Sequence, residues 1–264
     1  MSRPRLVATD LDGTLVRNDG TVSAYTQGVL AALDDQDVPV VFVTGRPLRW
    51  AEAVFDHVGR HGLAVISNGA LVWDVAAQAP VLTRTIDPVV GVEVCDLVRA
   101  AVPGSAFAVE TIDGIALEPE FRERHPVPEG ARRGAIADLF QGPALKVLAR
   151  HEELGYQEFW DRAEAAVGDR AVITWSSTSS LLEISAAGVT KATTLAVLAQ
   201  QLGVDPADVV AFGDMPNDID MLTWAGMSYA MADAHPTVRD AADHVAPAND
   251  EDGVASVLSA IYGL

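Results

Sequence analysis

The chain has 264 residues, 49% of them hydrophobic and 21% charged, enough for one large domain or two modest ones with a real core. Its formal charge of −19 sets up a field that repels nucleic acid and anionic membranes, so neither is expected as a partner. An anionic substrate must then be held by local positive charge: a metal ion, or a few placed Lys and Arg side chains. A single cysteine, Cys95, excludes an internal disulfide framework and fits a reducing compartment. It reads as a core-facing helix residue rather than a nucleophile. Met-Ser-Arg-Pro-Arg runs directly into the first apolar run, which leaves no room for a signal peptide. No apolar stretch is long enough to cross a bilayer, and a cytoplasmic enzyme is the expectation. Oligomeric state has no signature here.

Leu6, Val7 and Ala8 predict a short buried strand. Ser23 to Asp35 has helical spacing, with Val29, Leu30 and Leu33 on one side. Val38 to Thr44 is a second β-branched run, Pro47 to Val58 a second helix, and Ala64 to Ser67 a third strand. This alternation is that of a parallel sheet covered by helices. From about Pro80 the pattern changes to strand-like pieces at Val81–Ile86, Phe107–Thr111, Ile115–Leu117, Ala144–Arg150, Ala171–Trp175 and Leu181–Ile184. Helices are predicted near Pro88–Val102 and Glu152–Val167, and a loop at Arg122–Gly134. Paired strands with segregated helices predict an α+β insert on an antiparallel sheet. After Gly188 the parallel pattern resumes: helix Thr190–Leu202, strand Val209–Phe212, helix Asn217–Trp224, strand Met227–Met231, helix His235–Ala242, short strand His244–Ala246 and helix Gly253–Tyr262. The expected fold is an α/β, Rossmann-like core of residues 1–82 and 186–264, split by an inserted α+β domain of residues 83–185.

Four segments end a predicted strand or open a predicted helix, the rim where α/β sheets bind ligands. The first is Asp10-Leu11-Asp12-Gly13-Thr14-Leu15. Two carboxylates beside a buried strand are costly unless a cation or hydrogen bonds compensate them. One acid can attack while the other handles a proton. The second is Thr44-Gly45-Arg46-Pro47, where a hydroxyl, an unobstructed amide and a guanidinium precede a helix, a combination suited to phosphate. The third is Lys191, set in a helix's first turn against the dipole. The fourth is Gly213-Asp214-Met215-Pro216-Asn217-Asp218. Asp10, Asp12, Asp214 and Asp218 brought together repel by about 4 kcal/mol per pair at 4 Å and an effective dielectric of 20, so the cluster needs a cation. With oxygen ligands and no His or Cys nearby, Mg²⁺ fits best.

These four segments, in this order, resemble the motifs of the haloacid dehalogenase-like (HAD) phosphohydrolases. The insert between the second and third motifs, Asn68-Gly69-Ala70, and Glu183-Ile184 leading to Lys191 resemble the Cof-type (class IIB) branch, whose insert is a C2B-type cap. The resemblance implies an aspartyl-phosphate mechanism. Asp10 would be the nucleophile; Asp12 would protonate the leaving alcohol and then deprotonate the attacking water. Mg²⁺ would be held by Asp10, the Asp12 carbonyl and Asp214, with Asp218 ordering its waters. Thr44, the Gly45 amide, Lys191 and Asn217 would bind phosphoryl oxygens, while Arg46, Asn68 and Gly69 face the substrate. The activity implied is a Mg²⁺-dependent phosphatase of small phosphorylated metabolites, sugar phosphates or phosphorylated cofactors. A phosphosugar mutase, a dedicated sugar-phosphate phosphatase and a non-catalytic phospho-ligand-binding module are the alternatives.

Lys146, in an insert strand, is either directed at the ligand or a surface lysine. His125-Pro126-Val127-Pro128 is a specificity loop or a solvated connector. His57, His61, His151, His235 and His244 have no metal-ligand spacing, and Trp73, Trp160, Trp175 and Trp224 read as core.

Overall fold

The computed structural model describes residues 3–58, 62–176 and 180–264. In chain order the elements are β1 (Leu6–Thr9), α1 (Ala24–Asp34), β2 (Val40–Val43), α2 (Leu48–Val58), β3 (Leu63–Ile66), β4 (Leu71–Asp74), β5 (Ala79–Thr83), α3 (Pro88–Ala101), β6 (Ala106–Thr111) and β7 (Gly114–Leu117). They continue with α4 (Ile136–Leu139), β8 (Lys146–Arg150), α5 (Tyr156–Val167), β9 (Ala171–Thr174), β10 (Leu181–Ala186), α6 (Lys191–Gln201), β11 (Val209–Gly213), α7 (Ile219–Trp224), β12 (Met227–Met231), α8 (Pro236–Ala241), β13 (His244–Ala246) and α9 (Gly253–Tyr262). The chain divides into two compact units, Met1–Leu82 with Thr190–Leu264, and Thr83–Val189. The sequence put the return at residue 186, the last residue of β10; the break falls after Val189.

The first unit is the expected α/β layer structure. Its sheet runs β13-β12-β11-β1-β2-β3-β4-β5, parallel from β13 through β3. Strands β1 and β11 are buried at every residue, as a parallel sheet covered on both faces requires. Leu6 pairs with Val209 and Thr9 with Phe212. The chain leaves β1 toward β2 and β3, then returns to β11 on the other side of β1. That reversal opens a crevice at the carboxyl ends of β1 and β11.

Beyond β3 the parallel reading stops. Ser67, Asn68 and Gly69 turn the chain with three successive positive φ angles, and β4 runs back antiparallel to β3. Asn-Gly between apolar runs is a hairpin signal. The strand predicted at Val81–Ile86 lies instead at Ala79–Thr83, on the edge of this larger sheet, and Ile86 makes only an isolated bridge to Ala144. The predicted helix Asn217–Trp224 begins as a 3-10 turn, Pro216–Asp218, and becomes α-helical at Ile219.

The second unit is an antiparallel sheet in the order β7-β6-β8-β10-β9. Helices α3 and α5 pack on each other, and α5 packs on β9 and β10. One sheet face carries Ala106, Ala108, Leu148, Ile115 and Leu117 in an apolar cluster closed by Phe121. Arg122–Gly134 contains no helix or strand beyond one bridge of Arg133 to Leu117. Its Val127 and Ala131 pack against that cluster, so the segment is more than a solvated connector. Lys146 is not a surface lysine: it is 2% exposed and bonds Glu183 at 2.6 Å. Its register partner Glu110 is as deeply buried, with a carboxylate oxygen 3.8 Å from the ammonium.

Cys95 is buried in α3, where desolvation pushes its thiol far above the ordinary range. Trp73 and Trp175 are core residues, whereas Trp160 and Trp224 are only half-buried. His151 packs on Phe159, and its Nδ1 accepts from the Glu153 and Leu154 amides. His235 caps α8 and His244 packs on Tyr229. The His57 side chain and His61 lie outside the described residues.

Candidate active site

Asp10 directly follows β1, Thr44-Gly45-Arg46 follow β2, Ser67-Asn68-Gly69 follow β3, and Asp214 follows β11. Because these strands are parallel, all four segments share one rim. Lys191 is the first residue of α6, behind a Thr190 cap that accepts from the Thr193 amide. Its unfavourable place in the helix is explained by burial: the side chain is 2% exposed, with Nζ 2.6 Å from Asp10 Oδ1 and 2.7 Å from Asp218 Oδ1. The Asp214 and Met215 amides donate to Asp218 Oδ2 at 3.1 Å each, so both oxygens of Asp218 are engaged.

Asp10, Asp214 and Asp218 each place a carboxylate oxygen within 4.8 Å of the others. Burial raises the Asp10 carboxyl well above its ordinary value; Lys191 opposes this, while Asp218, Asp214 and Asp12 add to it. Burial also pushes Asp214 up to about 7, with Asp218 adding to the shift and Lys191 and the Thr14 hydroxyl working against it. Desolvation disfavours the Lys191 charge, but Asp10 and Asp218 outweigh it and hold the ammonium above its ordinary range. When ionised, three carboxylates and one ammonium leave a surplus of two negative charges, which suits a divalent cation with oxygen ligands.

Asp12 does not join this cluster. Its side chain is 58% exposed, and Arg46 grips it through Nε–Oδ2 at 2.7 Å and Nη2–Oδ1 at 2.5 Å. Arg46 is also anchored by Nη1 on the Trp50 carbonyl, and its amide donates to Thr44 Oγ1 at 3.0 Å. Asn217 Nδ2 donates to Asn68 Oδ1 at 3.2 Å, while Asn217 Oδ1 is buried with no hydrogen-bond partner among the described residues.

Two supports went unread in the sequence. Thr14 Oγ1 donates to Asp214 Oδ1 at 3.1 Å, and Thr194 Oγ1 to the Gly69 carbonyl at 2.8 Å. Thr14 lies inside the first motif and was legible there; Thr194 is visible only once α6 meets the β3 turn. Glycine is required at Gly13, where φ is +71° and a Cβ would lie 2.3 Å from Asp214 Oδ2.

A haloacid dehalogenase-like hydrolase family model matches residues 7–258, nearly the whole chain and every segment of this rim. The chain belongs to the haloacid dehalogenase-like hydrolases. This HAD hydrolase is 27% identical to the 5-amino-6-(5-phospho-D-ribitylamino)uracil phosphatase YitU of Bacillus subtilis, over 100% of this chain and 99% of that one. It is 30% identical to a phosphoglycolate phosphatase of Halorubrum lacusprofundi, over 96% and 95% of the two chains. Its fold is shared with SMU.1108c of Streptococcus mutans, with a TM-score of 0.87 and 24% identity over 99% of this chain and 100% of that chain. Among the described residues no helix is long and apolar enough to cross a membrane.

Proposed function

We propose that this HAD hydrolase is a Mg²⁺-dependent phosphatase of small phosphorylated metabolites, working through an aspartyl-phosphate on Asp10. The observation that carries this reading is the buried Asp10–Lys191–Asp218 chain beside Asp214. Mg²⁺ would be held by Asp10 and Asp214 together with the Asp12 carbonyl. Asp218 acts from behind, since both of its oxygens already accept hydrogen bonds. Bound there, the ion supplies positive charge to the phosphoryl oxygens.

The reaction divides into two displacements. An Asp10 oxygen attacks phosphorus while the bond to the substrate oxygen breaks, and Asp12 gives that oxygen its proton. Water then attacks phosphorus with Asp12 taking its proton, the bond from phosphorus to the Asp10 oxygen breaks, and inorganic phosphate leaves with Asp10 free and Asp12 reprotonated. Thr44, the Gly45 amide, Lys191 and Asn217 hold the phosphoryl oxygens, and Arg46, Asn68 and Gly69 line the substrate's approach. Lys191 keeps Asp10 oriented through Oδ1 and balances charge as the phosphoryl group transfers. The Thr83–Val189 unit is the inserted α+β cap domain. A substrate among small phosphate monoesters is supported by the relatives named as a 5-amino-6-(5-phospho-D-ribitylamino)uracil phosphatase and a phosphoglycolate phosphatase. A cytoplasmic location accords with the lone buried thiol.

The test is phosphate release from a panel of sugar phosphates, flavin mononucleotide, pyridoxal phosphate and phosphoglycolate, with Mg²⁺ or with EDTA. Turnover with Mg²⁺ that EDTA removes, and that Asp10→Asn lowers by at least about 10⁴-fold, is the expected result. Turnover retained in Asp10→Asn overturns the covalent mechanism.

A further inference from the structure

The Thr83–Val189 unit contains a second charged group that no step above uses. Arg150 ends β8, facing Ala106 of β6 on one side and Leu181 of β10 on the other. It is 3% exposed, yet its Nε and Nη1 are buried with no hydrogen-bond partner among the described residues. The guanidinium carbon lies 5.5 Å from the centroid of the Phe121 ring, and Leu148 and Leu181 belong to or pack on the same apolar cluster. A buried guanidinium without an anion is among the costliest arrangements a fold can keep.

The acids that could neutralise it do not. Glu123 and Glu152 are near enough to influence Arg150 but form no ion pair with it. Glu123 Oε1 is turned instead onto the Arg124 and His125 amides, at 2.7 and 3.1 Å. Arg124 adds a second positive charge felt at Arg150, and desolvation lowers the guanidinium's pKa before Arg124 lowers it further. In a chain of charge −19, the segment over this sheet face gathers Arg122, Arg124, Arg132 and Arg133 within twelve residues. With Glu123 and Glu129 among them the segment keeps a net charge of about +2, and of its arginines Arg124 is the one felt at Arg150.

We propose that Arg150, backed by the Phe121 ring and assisted by Arg124, is an anion-binding residue of the Thr83–Val189 unit that takes a carboxylate or phosphate of a small molecule. A guanidinium is a fixed set of N–H donors, and Nε and Nη1 are the two here left for a ligand oxygen. The anion is either a second charged group of the substrate or a separate small anion that binds this unit.

Thermal melts of the full chain in EDTA, titrated with sulfate and with malonate against NaCl at matched ionic strength, test the site without any need for turnover. The wild type is expected to gain several degrees with sulfate or malonate over NaCl. Arg150→Met is expected to melt no lower than the wild type without anion, because it removes an unpaired buried charge, and to lose the anion-dependent gain. Arg124→Gln is expected to weaken the gain. If the wild type gains nothing beyond NaCl, or Arg150→Met keeps the full gain, the site does not exist. Hydrolysis kinetics then separate the two sources. A KM raised about tenfold or more by Arg150→Met for phosphoglycolate, but not for p-nitrophenyl phosphate, assigns the anion to the substrate. KM values unchanged for both, with the anion-dependent gain lost, assign it to a separate ligand.

Discussion

Arg46 and Asp12 form a two-pronged pair at the mouth of the rim, both carboxylate oxygens taken by one guanidinium at 2.7 and 2.5 Å. Each Asp12 oxygen accepts one N–H bond and keeps a second lone pair, so the pair fixes where the carboxylate points without using it up. On the proton-transfer role proposed for Asp12, Arg46 is its positioning residue. Arg46→Gln is expected to lower kcat/KM about tenfold to a hundredfold, part of the usual worth of a general acid–base group. The exposed pair adds less than about 1 kcal/mol to stability, so denaturation midpoints should barely move. Arg46→Lys keeps the charge but not the paired geometry, and should recover only part of the loss. Unchanged kinetics in Arg46→Gln would remove the positioning role.

Lys191 is the counter-charge of two buried carboxylates. Replacing it with Met leaves Asp10 and Asp218 facing each other without a cation, at a cost of about 3–5 kcal/mol. Urea denaturation of the metal-free protein reads this directly. A loss below about 1 kcal/mol would mean that the carboxylates find other partners or take up protons at little cost.

Asp214 sits at about 7 in the fold against 3.8 for an ordinary aspartate. Between those values the folded chain holds a proton that the unfolded chain has lost. Stability of the metal-free protein therefore falls as pH rises through that window, and Asp10, raised in the same sense, adds to the fall. Melts in EDTA should drop between about pH 4 and pH 7, by about 2–4 °C for each kcal/mol lost. Asp214→Asn should flatten the slope, and Mg²⁺ should restore stability at the alkaline end. A wild-type profile that rises with pH across this range would contradict the burial of these carboxyls.

Gly69 has φ of +105°, and a Cβ there would lie 2.3 Å from the carbonyl oxygen of Thr190, the residue before Lys191. Gly69→Ala is expected to cost about 1–3 kcal/mol in backbone strain and to shift the start of α6, lowering kcat as Lys191 moves. Gly20→Ala is the control: φ is +83° but nothing lies within 4 Å of the added carbon. Its cost should be no more than about 1 kcal/mol, with kcat unchanged. Equal kinetic effects in the two variants would dissociate the Gly69 turn from the site.

Much of this molecule is written in local pattern. The apolar runs at Leu6, Val40 and Val209 can only be buried in a covered sheet, and the helices between them force parallel strands. Parallel strands in turn put the residues after β1, β2 and β11 on one rim. The parallel sheet and the expectation that Asp10, Thr44, Lys191 and Asp214 gather on its rim thus follow from spacing and chemistry along the chain, whereas the order of the strands does not.

Long-range packing decided the rest. Nothing local distinguishes a buried lysine from a solvated one, so the burial of Lys191 and Lys146 emerged only when Asp10, Asp218 and Glu183 came to meet them. Asp12 carries the same residue type as Asp10 two positions away, yet it points to Arg46 and not into the carboxylate cluster. Strand alternation alone would send positions 10 and 12 to the same side, so the turn that begins at Leu11 is what separates them. Arg150 is the clearest case: its isolation depends on where Phe121 packs and on Glu123 bonding its own backbone neighbours. Periodicity identifies which residues want to leave water; only the assembled fold determines which charges must leave with them.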